Sequence, residues 1–415
     1  MSAPRRLSGP GRGWGAAILL LSASGGSAPA QHQHAMAPDT ALTPRTGPVR
    51  GPLGGHSSVP TAVFDAKGTL LVAFVEGEHV YVTRSEDGGR TFAAAVSVNP
   101  QPEKVDANGE ARPKIAVGRR REVYVTYTHR LAKAYTGDIR FSRSTDGGRT
   151  FSPPITVNDD GGVTGHRFDA LGVGPRGDVH VAWIDKRDLD AAQASGRKYS
   201  GAALYYAVSR DGGRTFAKNV KLKDEACECC RIAFDFDRGT PVLLWRDILP
   251  GGIRDHALMR LGPDGPTPPR RASMDDWKIE ACPHHGPALA VDAAGVYHAA
   301  WFTAGTRAQG LLYAHSSDGA STFSTPFRFG SPETSSHPAL LAAGASLYLA
   351  WKESLPEGGY AVRLLTSSDG GTRWSAARDV ARTQGSSDHP LLIARGRTGY
   401  LSWFTEREGY RLLPL

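Results

Sequence analysis

The sequence predicts an all-β protein, built as a β-propeller of four-stranded blades. Three observations lead to this prediction. The 415 residues include 49 glycines and 28 prolines, which implies very many turns. One eight-residue turn sequence recurs along the chain. Pairs of apolar runs recur in step with it at a spacing of roughly 50 to 60 residues, about the length of one blade.

The recurring turn has a structural explanation in its residue types. The close copies read SEDGGRTF, STDGGRTF and SRDGGRTF, and with the looser copies they lie at residues 85–92, 144–151, 209–216, 316–323 and 367–374, plus a decayed copy at 261–268. The aspartate accepts hydrogen bonds from its own turn, glycine takes the positive φ, and the aromatic residue is buried. An EF-hand is excluded, because the alternating oxygen ligands and the closing glutamate are missing. We therefore expect a structural role, without chemistry, for Asp87, Asp146, Asp211, Asp318 and Asp369.

The repeated turn resembles the Asp box, or BNR repeat, of the sialidase superfamily of β-propellers. The resemblance rests on the three close copies and implies the fold. Because the repeat is structural, it says little about activity. In such propellers each blade begins at its innermost strand. The resemblance therefore implies that the loops before the first strand and after the second strand share one face, with the Asp boxes on the opposite face.

A hairpin precedes each turn and indicates the number of blades. Each hairpin joins two apolar runs through a glycine turn, as in PTAVFDAKGTLLVAFVEG. Seven hairpins lie at residues 60–77, 113–130, 169–188, 231–247, 286–302, 338–353 and 390–406. They favour seven blades, with the six blades of sialidases as the alternative. The last blade lacks a fourth strand, which we expect residues 46–55 to supply, so that residues 46–415 form one closed propeller.

The first 30 residues are typical of an export signal peptide. An arginine pair precedes an apolar run at residues 14–21, and small residues follow up to Ala30. The apolar run is too short to span a bilayer as a helix, so we expect a periplasmic or secreted protein without a transmembrane segment after cleavage. Residues 31–45 are predicted to be a flexible tail. Its soft donors favour copper, although a polar tail without function is the simpler interpretation: His32, His34 and Met36.

The charge pattern speaks against nucleic acid as a partner. The formal net charge is +8, supplied mostly by arginines that are scattered along the chain. Nucleic-acid binding would need a basic stripe with interleaved aromatic residues. We expect a monomer that binds a small ligand, a glycan or a metal ion.

Histidine and cysteine recur just before the predicted inner strands. Five of the seven blades place histidine there, a sixth places cysteine, and the second blade places Glu110 and Arg112. Three interpretations remain open. The side chains cap the strand starts, since His-Pro leads readily into an extended strand; or they bind copper or zinc, which imidazole and thiolate suit; or they bind an anion with nearby arginines. The candidate ligands are His56, His166, Cys227, Cys229, Cys230, Cys282, His284, His285, His337 and His389.

The four cysteines allow two predictions. An even number of cysteines in an exported protein favours disulfides, with three possible pairings. A bridge between the CECC segment and Cys282 would join loops of neighbouring blades. A thiolate site, or a mixed cysteine and histidine site, is the alternative.

Glycoside hydrolysis is the alternative function. The resemblance places a substrate-binding arginine of an Arg-Ile-Pro motif at the first inner strand, where this chain has Ser58. Serine does not replace an arginine that clamps a carboxylate, and no tyrosine nucleophile can be assigned. A divergent sialidase-like hydrolase acting on envelope or host glycans would need two carboxyl groups on the face that carries the loops before the first strands and after the second strands, here called the funnel face. The candidates are Asp185, Asp247, Glu353 and Glu406.

Tryptophans precede most of these carboxyl groups. Such residues either stack on sugars or fill the wedge between blades, and we favour the wedge. They are Trp183, Trp245, Trp301, Trp351 and Trp403. The sequence thus favours a binding propeller with a histidine- and cysteine-lined funnel that takes a metal such as copper, and it leaves open whether any catalysis remains.

Overall fold

The protein is a seven-bladed β-propeller, which confirms the predicted fold class and number of blades. The computed structural model describes Leu53, Gly54 and residues 57–415. The described chain forms seven antiparallel sheets and contains one α-helix. The second strand of each blade reads as a continuous apolar run because it is covered by blades on both sides; all seven residues of Val179–Asp185 are buried.

Each blade runs outward in chain order. Blade one comprises β1 (Ser58–Phe64), β2 (Leu70–Glu76), β3 (His79–Ser85) and β4 (Val96–Ser97). Blade two comprises β5 (Lys114–Val117), β6 (Val123–Arg130), β7 (Gly137–Ser144) and β8 (Ile155–Thr156). Blade three comprises β9 (His166–Val173), β10 (Val179–Asp185), helix α1 (Arg187–Ala194), β11 (Ala202–Ser209) and β12 (Val220–Ala226).

The remaining blades follow the same order, with two irregularities. Blade four has five strands, of which β17 pairs with β15: β13 (Ala233–Asp237), β14 (Thr240–Arg246), β15 (His256–Gly262), β16 (Gly265–Pro266) and β17 (Arg270–Arg271). Blade five comprises β18 (Ala288–Val291), β19 (Tyr297–Ala304), β20 (Gln309–Ser316) and β21 (Phe327–Phe329). Blade six comprises β22 (Ser335–Ala343), β23 (Ser346–Ser354), β24 (Tyr360–Ser367) and β25 (Arg378–Thr383). Blade seven has three strands in the described chain: β26 (Leu391–Arg395), β27 (Thr398–Thr405) and β28 (Gly409–Pro414).

The inner strands form a closed ring around the propeller axis. Each contacts the inner strands of both neighbouring blades, and β26 of the last blade contacts β1 of the first. The predicted closing strand at residues 46–55 falls outside the described residues except for Leu53 and Gly54. Leu53 belongs to a hydrophobic cluster against which Tyr410 and Leu412 of β28 pack, and its carbonyl accepts a hydrogen bond from the Tyr410 N–H at 3.4 Å.

The repeated turns close through hydrogen bonds within their own few residues. In blade two, the Asp146 carboxylate accepts from the backbone N–H groups of Arg149 and Thr150 at 2.9 and 3.0 Å, and from the Thr150 hydroxyl at 2.7 Å. The Ser144 hydroxyl donates to the same carboxylate and accepts from the Gly148 N–H. Gly147 and Gly148 have φ +79° and +78° in this turn, where a side chain would be strained.

Bulges at the starts of several inner strands redirect the axial side chains. In β22 the register with β23 shifts between Ser336 and Ala339, and His337 has φ +51°. The corresponding β1 and β9 also carry a shift and a left-handed residue, Val59 and Phe168. A bulge turns the residue that it inserts away from the regular alternation. This local irregularity decides where the axial side chains point.

No helix in the described part of the chain is long and apolar enough to cross a membrane. The predicted signal peptide (residues 1–30) and tail (residues 31–45) lie outside the described residues, so both stay predictions.

Candidate metal centre

Histidines from three consecutive blades meet at the axis. The His337 and His389 rings stack with their centroids 3.5 Å apart, and His285 lies 4.6 Å from His337. The Nδ1 atoms of His337 and His389 are buried and have no hydrogen-bond partner among the described residues. Burial holds the pKa values of both rings well below their usual range, which favours the neutral imidazole, the form of histidine that binds a metal.

Glu110 of the second blade lies beside these rings. Its carboxylate, His337 and His389 form a set of possible ligands, here called the axial set, whose donor atoms lie within 4.8 Å of one another. The carboxylate is already engaged, because it accepts from the backbone N–H groups of Arg231 and Gly286 at 2.9 and 3.0 Å and forms an ion pair with the Arg231 guanidinium.

Positive charge surrounds the axial set. Arg112 forms a bidentate ion pair with Asp388 at 2.9 and 2.6 Å, and Lys352 donates to the Ser387 carbonyl at 2.7 Å. Burial lowers the pKa of Lys352 to about 8. Glu110 is thus neutralised by Arg231, and further cations lie nearby. A metal ion would gain little here, since the only carboxylate of the set already has its counter-charge.

The cysteines gather where the chain enters blades four and five. Cys227, Cys229 and Cys230 lie in the connection from β12 to β13, and Cys282 and His284 lie in the connection from β17 to β18. We call these five residues the cysteine cluster. The first three are 1%, 3% and 2% exposed, whereas Cys282 is exposed.

The predicted disulfide is absent. All four cysteines of the chain are described and free. The sulfur of Cys227 lies 3.6 Å from that of Cys229 and 4.0 Å from that of Cys230, and those of Cys229 and Cys230 are 3.9 Å apart. A disulfide bond measures about 2.05 Å. The tight turn of the CECC segment directs its three sulfurs to one point but brings no two of them to bonding distance. Adjacent cysteines could close a disulfide only as a strained ring.

Two sets of three donors overlap in the cysteine cluster. The sulfurs of Cys227, Cys229 and Cys230 form one set, which we call the inner triad. Cys229, Cys282 and His284 form the outer triad. Within each triad the donor atoms all lie within 4.8 Å of one another, and Cys229 belongs to both.

Two arginines set the charge of the cluster. Arg254 donates to the Cys227 sulfur at 3.3 Å. Arg246 is 1% exposed and donates to the carbonyls of Arg254, His285 and Phe302. Hydrogen bonds from Cys229 and Cys230, with these guanidinium groups, hold the pKa of Cys227 well below its usual range. These contacts favour the thiolate form of Cys227, which is the form that binds metals.

The other predicted ligands lie elsewhere. His166 is buried beside helix α1; its Nδ1 donates to the Gly137 carbonyl at 2.7 Å, and its Nε2 lies 3.0 Å from the Asp160 carboxylate. Burial opposes a charged ring, but the adjacent carboxylates of Asp160 and Asp185 raise the pKa of His166. It does not join either triad or the axial set. His56 lies outside the described residues.

Three of the four candidate catalytic carboxyl groups accept a hydrogen bond from a tryptophan. The indole N–H groups of Trp183, Trp245 and Trp351 donate to the carboxylate two positions later, that is to Asp185, Asp247 and Glu353, at 2.8, 3.1 and 2.8 Å. Glu406 is exposed, and its backbone N–H donates to the Ser386 carbonyl. The five tryptophans predicted to fill the wedges are at most 1% exposed, so they pack between blades, as predicted, rather than offering a surface to sugars; they are Trp183, Trp245, Trp301, Trp351 and Trp403.

Sequence reasoning missed the partners of the cysteine cluster and the role of Glu110. Arg246 and Arg254 lie in blade four, whose copy of the repeated turn is decayed, and nothing in their spacing marks them. Glu110 did occupy the same position as the histidines of other blades, and its charge was the signal that an arginine of another blade would be needed.

Comparison with known proteins supports the fold. No protein-family model and no curated protein matches the chain. An ulvan lyase from a new family of polysaccharide lyases matches with a TM-score of 0.58 and 11% identity over 88% of this chain and 94% of that chain. A protein of unknown function from Dyadobacter fermentans matches with a TM-score of 0.54 and 15% identity over 76% and 95%.

A sialidase of Trypanosoma rangeli in complex with the inhibitor DANA is also similar, with a TM-score of 0.45 and 13% identity over 75% of this chain and 55% of that chain. At this TM-score the likeness carries no argument. The other two likenesses, at 11% and 15% identity, establish a shared propeller fold and nothing about substrate.

Proposed function

We propose that the protein is an exported, divergent propeller of the sialidase superfamily that binds copper(I) in its cysteine cluster. The observation that carries the proposal is the inner triad: three buried sulfurs at mutual distances of 3.6 to 4.0 Å. Sulfurs bound to one ion at about 2.3 Å lie roughly 3.8 to 4.0 Å apart. The triad therefore has nearly the spacing of a thiolate metal site without a need for rearrangement.

Copper(I) suits the donors better than zinc does. Thiolate is a soft ligand and selects soft ions, copper(I) among them. Structural zinc sites are almost always four-coordinate and tetrahedral. In the described residues each set of mutually close donors contains three members. Three sulfurs complete the coordination of copper(I) but leave zinc one ligand short.

The surroundings favour an anionic thiolate complex. Arg254 contacts the Cys227 sulfur directly, and the buried Arg246 lies close by and donates to backbone carbonyls. A copper(I) ion with three thiolates is negatively charged, and two guanidinium groups offset that charge in a site from which water is excluded. The axial set lacks this advantage because its carboxylate is already neutralised.

Copper(I) titration tests the proposal. The full chain is reduced under anaerobic conditions and titrated with copper(I) in the presence of bicinchoninate, which competes for the ion and reports it by colour. We expect at least one copper(I) per chain to be withheld from the chelator. Failure of the wild type to withhold any copper(I), or retention of zinc in preference to it, would overturn the proposal.

Matched variants connect the binding to the cysteine cluster. Cys227→Ser combined with Cys230→Ser removes two donors of the inner triad, so the tightly held copper(I) ion of that triad should be lost. His315→Ala removes a histidine on β20, outside the cluster, and should bind as the wild type does. Thermal unfolding of each variant checks that it folds, and metal analysis of protein expressed with its signal peptide checks loading in the exported protein.

A further inference from the structure

We propose that the cysteine cluster contains two copper(I) sites that share Cys229: an exposed outer site that receives the ion, and a buried inner site that retains it. The inference rests on the proposed function, because it assigns a pathway to the same ion. Its foundation is the overlap of the inner and outer triads at a single sulfur.

Exposure gives the pathway its direction. Cys282 is exposed and His284 is half-buried, whereas Cys229, Cys227 and Cys230 are 3%, 1% and 2% exposed. An ion arriving from solvent or from a carrier therefore meets Cys282 and His284 first. Cys229 is the one donor that the outer triad shares with the inner triad.

The shared sulfur allows transfer without releasing the ion. Copper(I) in the outer triad is bound by Cys229, Cys282 and His284. As bonds from Cys227 and Cys230 form, bonds to Cys282 and His284 break, and the bond to Cys229 persists. Thiols that become ligands release their protons to solvent, and those that leave take protons up. The ion stays copper(I), so no electron acceptor or donor is required.

The donor types make the inner site the stronger one. The outer triad has two sulfurs and one imidazole, whereas the inner triad has three sulfurs, and the soft ion prefers sulfur. Arg254 donates to Cys227 at 3.3 Å and so lies against the inner triad. Both differences favour movement of the ion inward.

His284 is positioned for a ligand rather than for packing. It has φ +50°, a conformation that non-glycine residues rarely adopt. Its Nε2 atom is buried and makes no hydrogen bond to any of the described residues. Strain and an unsatisfied buried polar atom each cost free energy, and an ion bound at the outer triad would give this imidazole a partner.

Loading kinetics test the inference. Reduced protein is mixed with a stoichiometric excess of the copper(I)–bicinchoninate complex, and the loss of its colour is followed by stopped flow. The wild type should bind two ions. Cys282→Ser and His284→Ala should each bind one ion and load it about 10-fold more slowly or worse, while the affinity of that remaining ion stays within about 3-fold, since its own ligands are untouched.

The reciprocal and control variants separate the two sites. Cys227→Ser should retain the outer ion but lose the tighter one. Glu280→Gln changes an exposed neighbour of Cys282 and should load as the wild type does. Cys282 is exposed, so its replacement by serine leaves the core packing intact, and the far-ultraviolet circular dichroism spectrum verifies this.

Three outcomes decide between the proposals. A wild type that binds one ion, or a Cys282→Ser variant that loads at the wild-type rate, would overturn the two-site pathway and leave copper binding by the inner triad in place. A wild type that withholds no copper(I) from bicinchoninate would overturn the proposed function itself.

Discussion

The loops on the two faces of the propeller are held by different kinds of contact. The turn face carries the repeated turns, and the axial face carries the loops that lead into the inner strands. On the turn face, Asp146 makes its hydrogen bonds to residues at most four positions away, and Asp87 and Asp211 repeat the pattern. On the axial face, Arg112 pairs with Asp388, 276 positions along the chain, and Gly286 donates to Glu110, 176 positions away. Local closure lets one sequence recur in blade after blade.

Long-range closure has the opposite consequence. Each axial loop must fit the particular loops of other blades, so its residues cannot all be copies of one another. Arg231 shows this well: it contacts Glu110 of blade two and the carbonyl of Pro338 of blade six, at 3.1 Å for the latter. The axial face thus differs from blade to blade, and it is here that unlike donors meet.

Breaking a long-range axial contact should have the largest effect. Glu110→Gln leaves the Arg231 guanidinium without its counter-charge at a site where Glu110 is 3% exposed. Removal of one partner from a buried ion pair costs about 3 kcal/mol. We expect the free energy of unfolding, measured with urea, to fall by this amount. Glu86→Gln, in an exposed turn, is the control; equal stability of both variants would show that the axial pair contributes nothing.

Removing the guanidinium beside the thiolate should have the next largest effect. Arg254→Met preserves much of the side-chain volume but removes the hydrogen bond to Cys227. We expect copper(I) affinity in the bicinchoninate competition to fall by about 10- to 100-fold, as for other residues that contact metal ligands. Arg254→Lys keeps the charge and should fall less. An unchanged affinity in Arg254→Met would contradict our account of how the cluster is stabilised.

A change on the turn face should be smaller. Asp146→Ala removes the acceptor of the hydrogen bonds from Arg149 and Thr150. Because water can replace these bonds at an exposed turn, we expect the free energy of unfolding to fall by only about 1 kcal/mol. Copper binding should stay as in the wild type, since the turn lies on the other face. A loss of copper affinity in this variant would refute the separation of the two faces.

The smallest effect should come from the repeated turn of blade five, which has alanine at the position where the equivalent turn of blade two has glycine. Ala320 has φ +68° where the equivalent Gly148 has φ +78°. Ala320→Gly should raise the free energy of unfolding by about 0.5 to 1 kcal/mol by relieving the left-handed strain. The reverse change, Gly148→Ala, should lower it, because the new Cβ would lie 3.0 Å from Leu71 Cδ2. Matching signs for the two variants would exclude this explanation.

Sequence reasoning succeeded where interactions are local and was weaker where they are not. The glycine turns and apolar runs located all seven hairpins, and the buried tryptophans were assigned to the packing between blades. The axial position of His337 and His389 followed from the period. The disulfide prediction was wrong, because parity and compartment carry no information on where three sulfurs of one turn point. The carboxyl candidates were chosen because they lie in loops of the funnel face. The hydrogen bonds that three of them accept from the preceding tryptophans became visible only in the packed blades.

The sequence by itself determined the period, the turn chemistry and the number of blades, since these depend on hydrogen bonds and side-chain patterns within a few residues. The tertiary structure alone decided which donors meet. His166 and His337 both begin inner strands that carry a bulge, yet one faces Asp160 and the other faces His389. The difference arises because a buried side chain takes its orientation from the neighbouring blades, and no pattern along the chain records which neighbours those are.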